Sequence, residues 1–129
     1  MDVERVLMLA DYIEDSKTYE QSLYTVTEFD PVRRRWYTFP ADIAGHAAFL
    51  SGVQDMYGGD SEIESIQAVR LTLGCVWEKA SYWLDLNFDQ RALFWSSPPC
   101  NPQPTSKDAA AVLRHLAETG EVDWRVRAN

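Results

Sequence analysis

The chain has 129 residues, about one domain by length, with 46% apolar residues, 25% charged residues and a net charge of 12 − 20 = −8. That composition excludes a disordered tail, a collagen and a low-complexity spacer. Apolar runs of only a few residues leave no span for a membrane helix, which needs roughly 20, and Met1-Asp2-Val3-Glu4-Arg5 lacks the basic start and apolar stretch of a secretory signal.

The first helix is predicted from Val3 to about Asp15, with Asp2 as its cap. Val3, Val6, Leu7, Ala10 and Ile13 repeat at helical spacing and form its expected core face. Tyr24 to Thr27 and Trp36 to Phe39 are strand formers on either side of the Asp30-Pro31 turn signal. They predict a β-hairpin over about residues 22–39, with Arg33, Arg34 and Arg35 near its tip. An isolated hairpin is marginal, so it must pack on helices.

A second helix is expected to open at Pro40, a residue suited to a first helical position, and to run from Ala41 to about Met56. Ala44, Gly45, Ala48 and Gly52 give it a small-residue surface that another element can approach closely. Tyr57-Gly58-Gly59-Asp60 would end it as a turn with left-handed glycines. Ser61 and Glu64 form a capping box. Behind them Ile63, Ile66, Val69, Leu73, Val76, Ala80, Trp83 and Leu84 predict one long helix, with Gly74 inside it as a point of close packing. A short helix follows from Asn87, carrying Gln90, Ala92, Leu93 and Phe94.

Ser96 to Pro104 holds four of the six prolines and reads as a loop. Thr105 and Asp108 open a last helix with Ala109, Val112, Leu113 and Leu116 inward and Gly120 just past its end. Val122, Trp124 and Val126 alternate with charges and predict a short C-terminal strand or extended tail. The expected fold is therefore mainly α (α+β): a single domain over residues 1–129, built as a compact bundle of four to five helices with a small hairpin and a short C-terminal strand.

Charge is unevenly spread. Residues 1–30 carry −6, residues 31–40 carry +3, residues 41–89 carry −6 and residues 90–129 carry +1. A protein that binds nucleic acid directly needs a broad basic footprint, and the arginine triplet is too small to provide one. A negative surface favours a basic protein as partner, although the same charge also serves solubility alone. Cys75 and Cys100 make neither a disulfide framework nor a metal knuckle. Cys75 is expected in the core and Cys100 in the exposed proline-rich loop. Free thiols without an export signal point to a reducing cytoplasm, here that of a bacterial host.

Several stretches occur together: Leu9-Ala10-Asp11-Tyr12-Ile13-Glu14, then Ile43-Ala44-Gly45-His46-Ala47, then Trp83-Leu84-Asp85-Leu86, Gln90 and Leu93-Phe94. A final segment runs Ala109-Ala110-Ala111-Val112-Leu113-Arg114-His115-Leu116-Ala117-Glu118-Thr119-Gly120-Glu121-Val122-Asp123-Trp124. This order resembles an uncharacterised group of small proteins of bacteria, phages and other mobile elements, a group that implies no established chemistry. Typical members carry cysteines in a Cys-Gly-Thr type segment before Ile-Ala-Gly. Here that place reads Trp36-Tyr37-Thr38-Phe39-Pro40-Ala41-Asp42, so any thiol or metal role there would be lost.

Asp42 and His46 lie at i, i+4 and share a helix face, but two ligands are too few for a structural zinc site. Helix capping by Asp42 beside an ordinary His46 is the simpler reading, and His115 near a helix C-terminus complements the dipole. The chain has no G-x-S-x-G, Walker loop, H-E-x-x-H or G-x-G-x-x-G. Neither an enzyme nor a bound cofactor or metal is expected.

Sixteen aromatics in 129 residues can seal a small core, but Tyr, Trp and Arg on an exposed hairpin also dominate binding energy at interfaces. The expected contact residues are Arg33, Arg34, Arg35, Trp36 and Tyr37, joined by the acids Asp11, Glu14, Asp15, Glu62 and Glu64. The expected function is an acidic protein-binding inhibitor from a phage or mobile element. It would block a basic, nucleic-acid-binding host defence protein in the manner of an anti-CRISPR protein. Alternatives are an immunity protein that neutralises a toxin nuclease, and a small metal-assisted enzyme using Asp42 and His46.

Overall fold

The computed structural model describes residues 1–95 and 103–129; the expectations for Ser96 to Pro102, including Cys100, lie outside the described residues. Among the described residues five α-helices, a 3-10 turn and a three-stranded antiparallel sheet make an α+β fold. The order is α1 (Val3–Glu14), β1 (Thr25–Asp30), β2 (Arg35–Pro40), α2 (Ile43–Ser51), β3 (Tyr57–Gly59), α3 (Glu62–Leu73), α4 (Val76–Leu84), a 3-10 turn (Asp89–Phe94) and α5 (Ser106–Thr119). Among the described residues no helix is long and apolar enough to cross a membrane.

The helix starts follow local chemistry. Asp2 accepts from the Arg5 N–H, and Thr105 and Asp108 close a reciprocal capping box. Ser61 accepts from the Glu64 N–H, while the Glu64 carboxylate reaches one residue further back, to the Asp60 N–H at 3.0 Å. Gly120 ends α5 at φ 78°.

The main core joins Val6, Leu9, Ala10 and Ile13 of α1 to Ile43, Ala44 and Ala47 of α2, Ala80 and Leu84 of α4, and Ala109, Val112, Leu113 and Leu116 of α5. Leu9 thus takes the place expected of Val3 and Leu7, which stay exposed. The inward stripe of α1 is thus Val6, Leu9, Ala10 and Ile13. A second cluster, Ala48, Phe49, Tyr57, Val69 and Leu73, ties α2 and α3 to the sheet.

The small-residue surface of α2 works as expected. A Cβ on Gly45 would lie 2.0 Å from the Tyr24 carbonyl oxygen, and one on Gly52 would lie 2.7 Å from the Leu73 side chain. The start of α2 differs from expectation. Pro40 ends β2 opposite Thr25, and Asp42 caps a helix that begins at Ile43. The Pro40 carbonyl accepts from the Thr18 hydroxyl at 2.6 Å and the Ala41 N–H donates to the Tyr24 carbonyl. Hydrogen bonds to the incoming chain therefore hold Pro40 and Ala41 extended.

Further expectations are corrected. Tyr57–Gly59 is a third strand paired with Trp36–Thr38, not a left-handed turn. Its glycine is needed for space, since a Cβ on Gly59 would lie 2.5 Å from the Ser65 nitrogen of α3. The single helix from Ser61 to Leu84 is two helices. Gly74 takes φ 69° and ψ −136°, far from helical values. A Cβ there would meet nothing within 4 Å, so Gly74 breaks the helix instead of packing closely. Cys75 follows as the first residue of the new turn and is exposed, not buried in the core. Finally, residues 121–129 form no strand. A strand needs a ladder partner, and this tail instead turns at Asp123, whose carbonyl accepts from the Val126 N–H. Trp124 is buried against the main core and donates to the Ala92 carbonyl at 2.9 Å.

Candidate functional site

The hairpin ends in a short, exposed and tightly tied tip. The Asp30 carboxylate accepts from the N–H groups of Val32 and Arg33 at 2.9 and 3.1 Å, an Asx turn that starts the reversal. Arg34 completes it at φ 54°, a conformation usually given to Gly or Asn. Arg33 lies 3.8 Å from Asp30 and Arg35 4.0 Å from Asp60. Among the described residues Arg34 has no ion pair, and Val32 beside it is 90% exposed.

Strand alternation separates the two faces of the sheet. One face carries Thr27, Phe29, Trp36 and Thr38 and meets α3. Thr38 is fully buried there and its hydroxyl donates to Ser65 Oγ at 3.0 Å. The other face carries Val26, Glu28, Arg35, Tyr37, Phe39 and Gly58. Val26, Tyr37 and Phe39 are half-buried and belong to neither core cluster. Their side chains form a small surface of their own: the Tyr37 and Phe39 rings lie 6.5 Å apart, and the Arg33 guanidinium sits 5.7 Å from the Tyr37 ring. Phe29 and Trp36 make a second aromatic pair on the opposite face, with centroids 5.4 Å apart. Arg33, Arg34 and Arg35 are exposed, while Trp36 and Tyr37 are half-buried. Sequence reasoning missed Val26 and Phe39, although they alternate in register with Tyr37 across the ladder.

The acids separate into two groups. Arg114 of α5 donates to Asp11 at 2.9 Å and to Glu14, so one guanidinium of the neighbouring helix pairs with both carboxylates of α1 and offsets part of their charge. Asp15 lies outside that pair and is exposed. Glu62 and Glu64 are exposed in the first turn of α3, where they complement the helix dipole. Glu64 bonds the Asp60 N–H and Asp60 lies 4.0 Å from Arg35, so the start of α3 borders the hairpin, while Asp11 and Glu14 are tied to α5.

Asp42 and His46 come together through the backbone. The Asp42 side chain accepts from the Gly45 N–H at 2.7 Å, as an N-cap. His46 Nδ1 lies 2.8 Å from the Asp42 carbonyl oxygen, which can only accept, so Nδ1 carries the proton. Nε2 then accepts from the Ser16 hydroxyl at 2.7 Å. Both ring nitrogens are engaged and the ring is buried between Tyr12 and Tyr19. Burial pushes the Asp42 carboxyl up to about 8 and the His46 imidazole down to about 4. Among the described residues no three His, Cys, Asp or Glu side chains are grouped to hold a metal.

An open depression of about 540 Å³ lies beside this network, lined by Tyr12, Leu50, Val53, Gln54, Asp55 and Met56. Burial, and then the Asp55 carboxylate, hold the Tyr12 phenol above its usual value. Val53, 88% exposed, takes φ 60° in the turn that ends α2. That turn is a Schellman motif: the Gln54 N–H donates to the Phe49 carbonyl and the Val53 N–H to the Leu50 carbonyl. Sequence reasoning missed this surface because its two halves, on α1 and after α2, are some 40 positions apart.

No family model matches the chain, and no curated protein or solved structure matches it.

Proposed function

We propose that the protein is a protein-binding module, an acidic inhibitor that occupies a basic, nucleic-acid-binding protein of the host defence type. The carrying observation is the hairpin. Four aromatic residues, two per face, stand on strands of which one face belongs to no core cluster, and three exposed arginines adjoin them, Arg33 and Arg34 in the turn and Arg35 at the start of β2. Tyr, Trp and Arg in such settings supply most of the energy of protein interfaces. The remaining charge of the chain, −8 overall, steers a basic partner and disfavours direct contact with phosphates.

The test is capture from bacterial lysate on the tethered full chain, followed by binding to the purified partner. Captured proteins should be basic nucleic-acid binders that lose the chain to competing nucleic acid. Tyr37→Ala with Arg34→Glu should weaken binding at least tenfold, and Glu62→Lys with Glu64→Lys should flatten its salt dependence. A shift of DNA by the protein alone, or a partner indifferent to these changes, would overturn the reading. A toxin nuclease among the captured proteins would identify the immunity form of the same mechanism.

A further inference from the structure

We infer that the depression between α1 and the end of α2 is a docking groove for a basic amphipathic segment of a partner protein. The inference rests on the reading of the chain as a binder of basic proteins, and adds a second contact surface and its ligand chemistry.

The lining is apolar with one carboxylate. Tyr12, Leu50, Val53 and Met56 supply the walls, Gln54 and Asp55 the polar groups, and no base is among them. Its volume of about 540 Å³ accommodates side chains of a docked segment. On α1, Met8, Tyr12 and Asp15 stand at i, i+4 and i+7 and share one helix face, so the apolar strip continues past the depression through Met8, which is 48% exposed. Two of the three methionines of the chain thus lie along one strip. Methionine is flexible and polarizable, and suits surfaces that mould to an apolar helix face.

Charge selects the occupant. Asp55 stands inside the groove and Asp15 on its α1 side, and Asp15 is the one acid of its helix turn that Arg114 leaves unpaired. An apolar strip bordered by free carboxylates complements a segment with leucine-like residues on one face and lysine or arginine on the other. The turn itself is consistent with this use. A side chain on Gly52 would press on Leu73, and the left-handed position falls on Val53, where a β-branched side chain is held in strained backbone while pointing to solvent. A docked segment would bury that side chain.

The test uses the full chain labelled at its methionine methyl groups, titrated with a synthetic Leu/Lys peptide whose leucines follow i, i+3, i+4, i+7 spacing. Two controls are a peptide of the same composition with scattered leucines and a Leu/Glu peptide of the same pattern. The Met8 and Met56 signals should shift saturably with the first peptide only, while Met1, packed against the main core, stays fixed. Asp55→Lys and Val53→Asn should each weaken binding at least tenfold. Asn is at ease in the left-handed conformation, so its effect cannot be loss of fold. Unmoved Met8 and Met56 signals, equal binding of the scattered peptide, or variants that bind as well as the parent would overturn the groove. If the groove fails while capture still depends on Tyr37 and Arg34, the inhibitor reading stands without it. If the groove binds and no basic protein is captured, the groove stands and the inhibitor reading falls.

Discussion

The hydroxyl of Ser16, just past the end of α1, donates to Nε2 of His46 in the middle of α2 at 2.7 Å. This bond fixes the incoming chain against the second helix. Removing it leaves a buried ring nitrogen without a donor, which costs about 1–3 kcal/mol. Ser16→Ala should lower the denaturant midpoint accordingly with an unchanged slope. A midpoint equal to that of the parent would show that the bond contributes nothing net.

Asp42 and His46 give stability opposite pH dependences. The folded Asp42 carboxyl, raised to about 8 from 3.8, keeps its proton where the unfolded chain has lost it. Its contribution is full below about pH 4 and lost as pH rises through 8. The folded His46 ring, lowered to about 4 from 6.5, stays neutral where the unfolded chain binds a proton. Its contribution is full above pH 6.5 and lost as pH falls through 4. The two slopes oppose between pH 4 and 6.5, so the fall caused by Asp42 stands alone between about pH 6.5 and 8. Asp42→Asn keeps a capping side chain and should flatten that fall in denaturation midpoints measured across the interval. A variant that declines as steeply as the parent would assign the slope to other groups.

Gln21 fastens the segment before the hairpin to the bundle. Its amide donates to the carbonyls of Leu93 and Trp95 at 3.2 and 2.8 Å and accepts from the Tyr19 hydroxyl at 2.8 Å. Gln21→Ala strands the buried Leu93 carbonyl, removes the partly buried bond to Trp95, and should cost roughly 1–3 kcal/mol. Amide exchange should quicken in residues 19–24 and 91–95 together. Faster exchange in one segment alone would mean the two are not coupled.

Backbone strain at the end of α2 can be relieved. Val53→Gly places the preferred residue at the left-handed position and should stabilise by about 1 kcal/mol, read as a rise in Tm. Gly74→Ala should do the reverse despite the open space around it, because φ 69° disfavours any Cβ. Opposite signs for the two substitutions are the expected result, and equal signs would contradict the backbone account.

The starts of α1, α3 and α5 were legible because caps are local. Asp2, Ser61 and Thr105 each bond a backbone N–H three residues on, and such spacing can be read directly. The fold class followed from periodicity for the same reason. Tyr57–Gly59 was not legible as a strand, because its ladder partner, Trp36–Thr38, is some 20 residues away and glycine carries no strand propensity. Arg33 to Tyr37 could be placed on a hairpin from sequence. That one face of the hairpin stays outside the core, and that Arg114 pairs with both Asp11 and Glu14, depends on how distant elements pack.

Order along the chain was enough to say what most segments are: which residues cap, which faces are apolar, where the negative charge lies. Those properties arise between neighbours a few positions apart. Packing between distant segments settled what they present to the outside. The long helix breaks at Gly74 and exposes Cys75, Leu7 turns outward and Leu9 inward, and Tyr12 comes beside Asp55. Close packing admits one arrangement of the helices, and the surface is whatever that arrangement leaves uncovered.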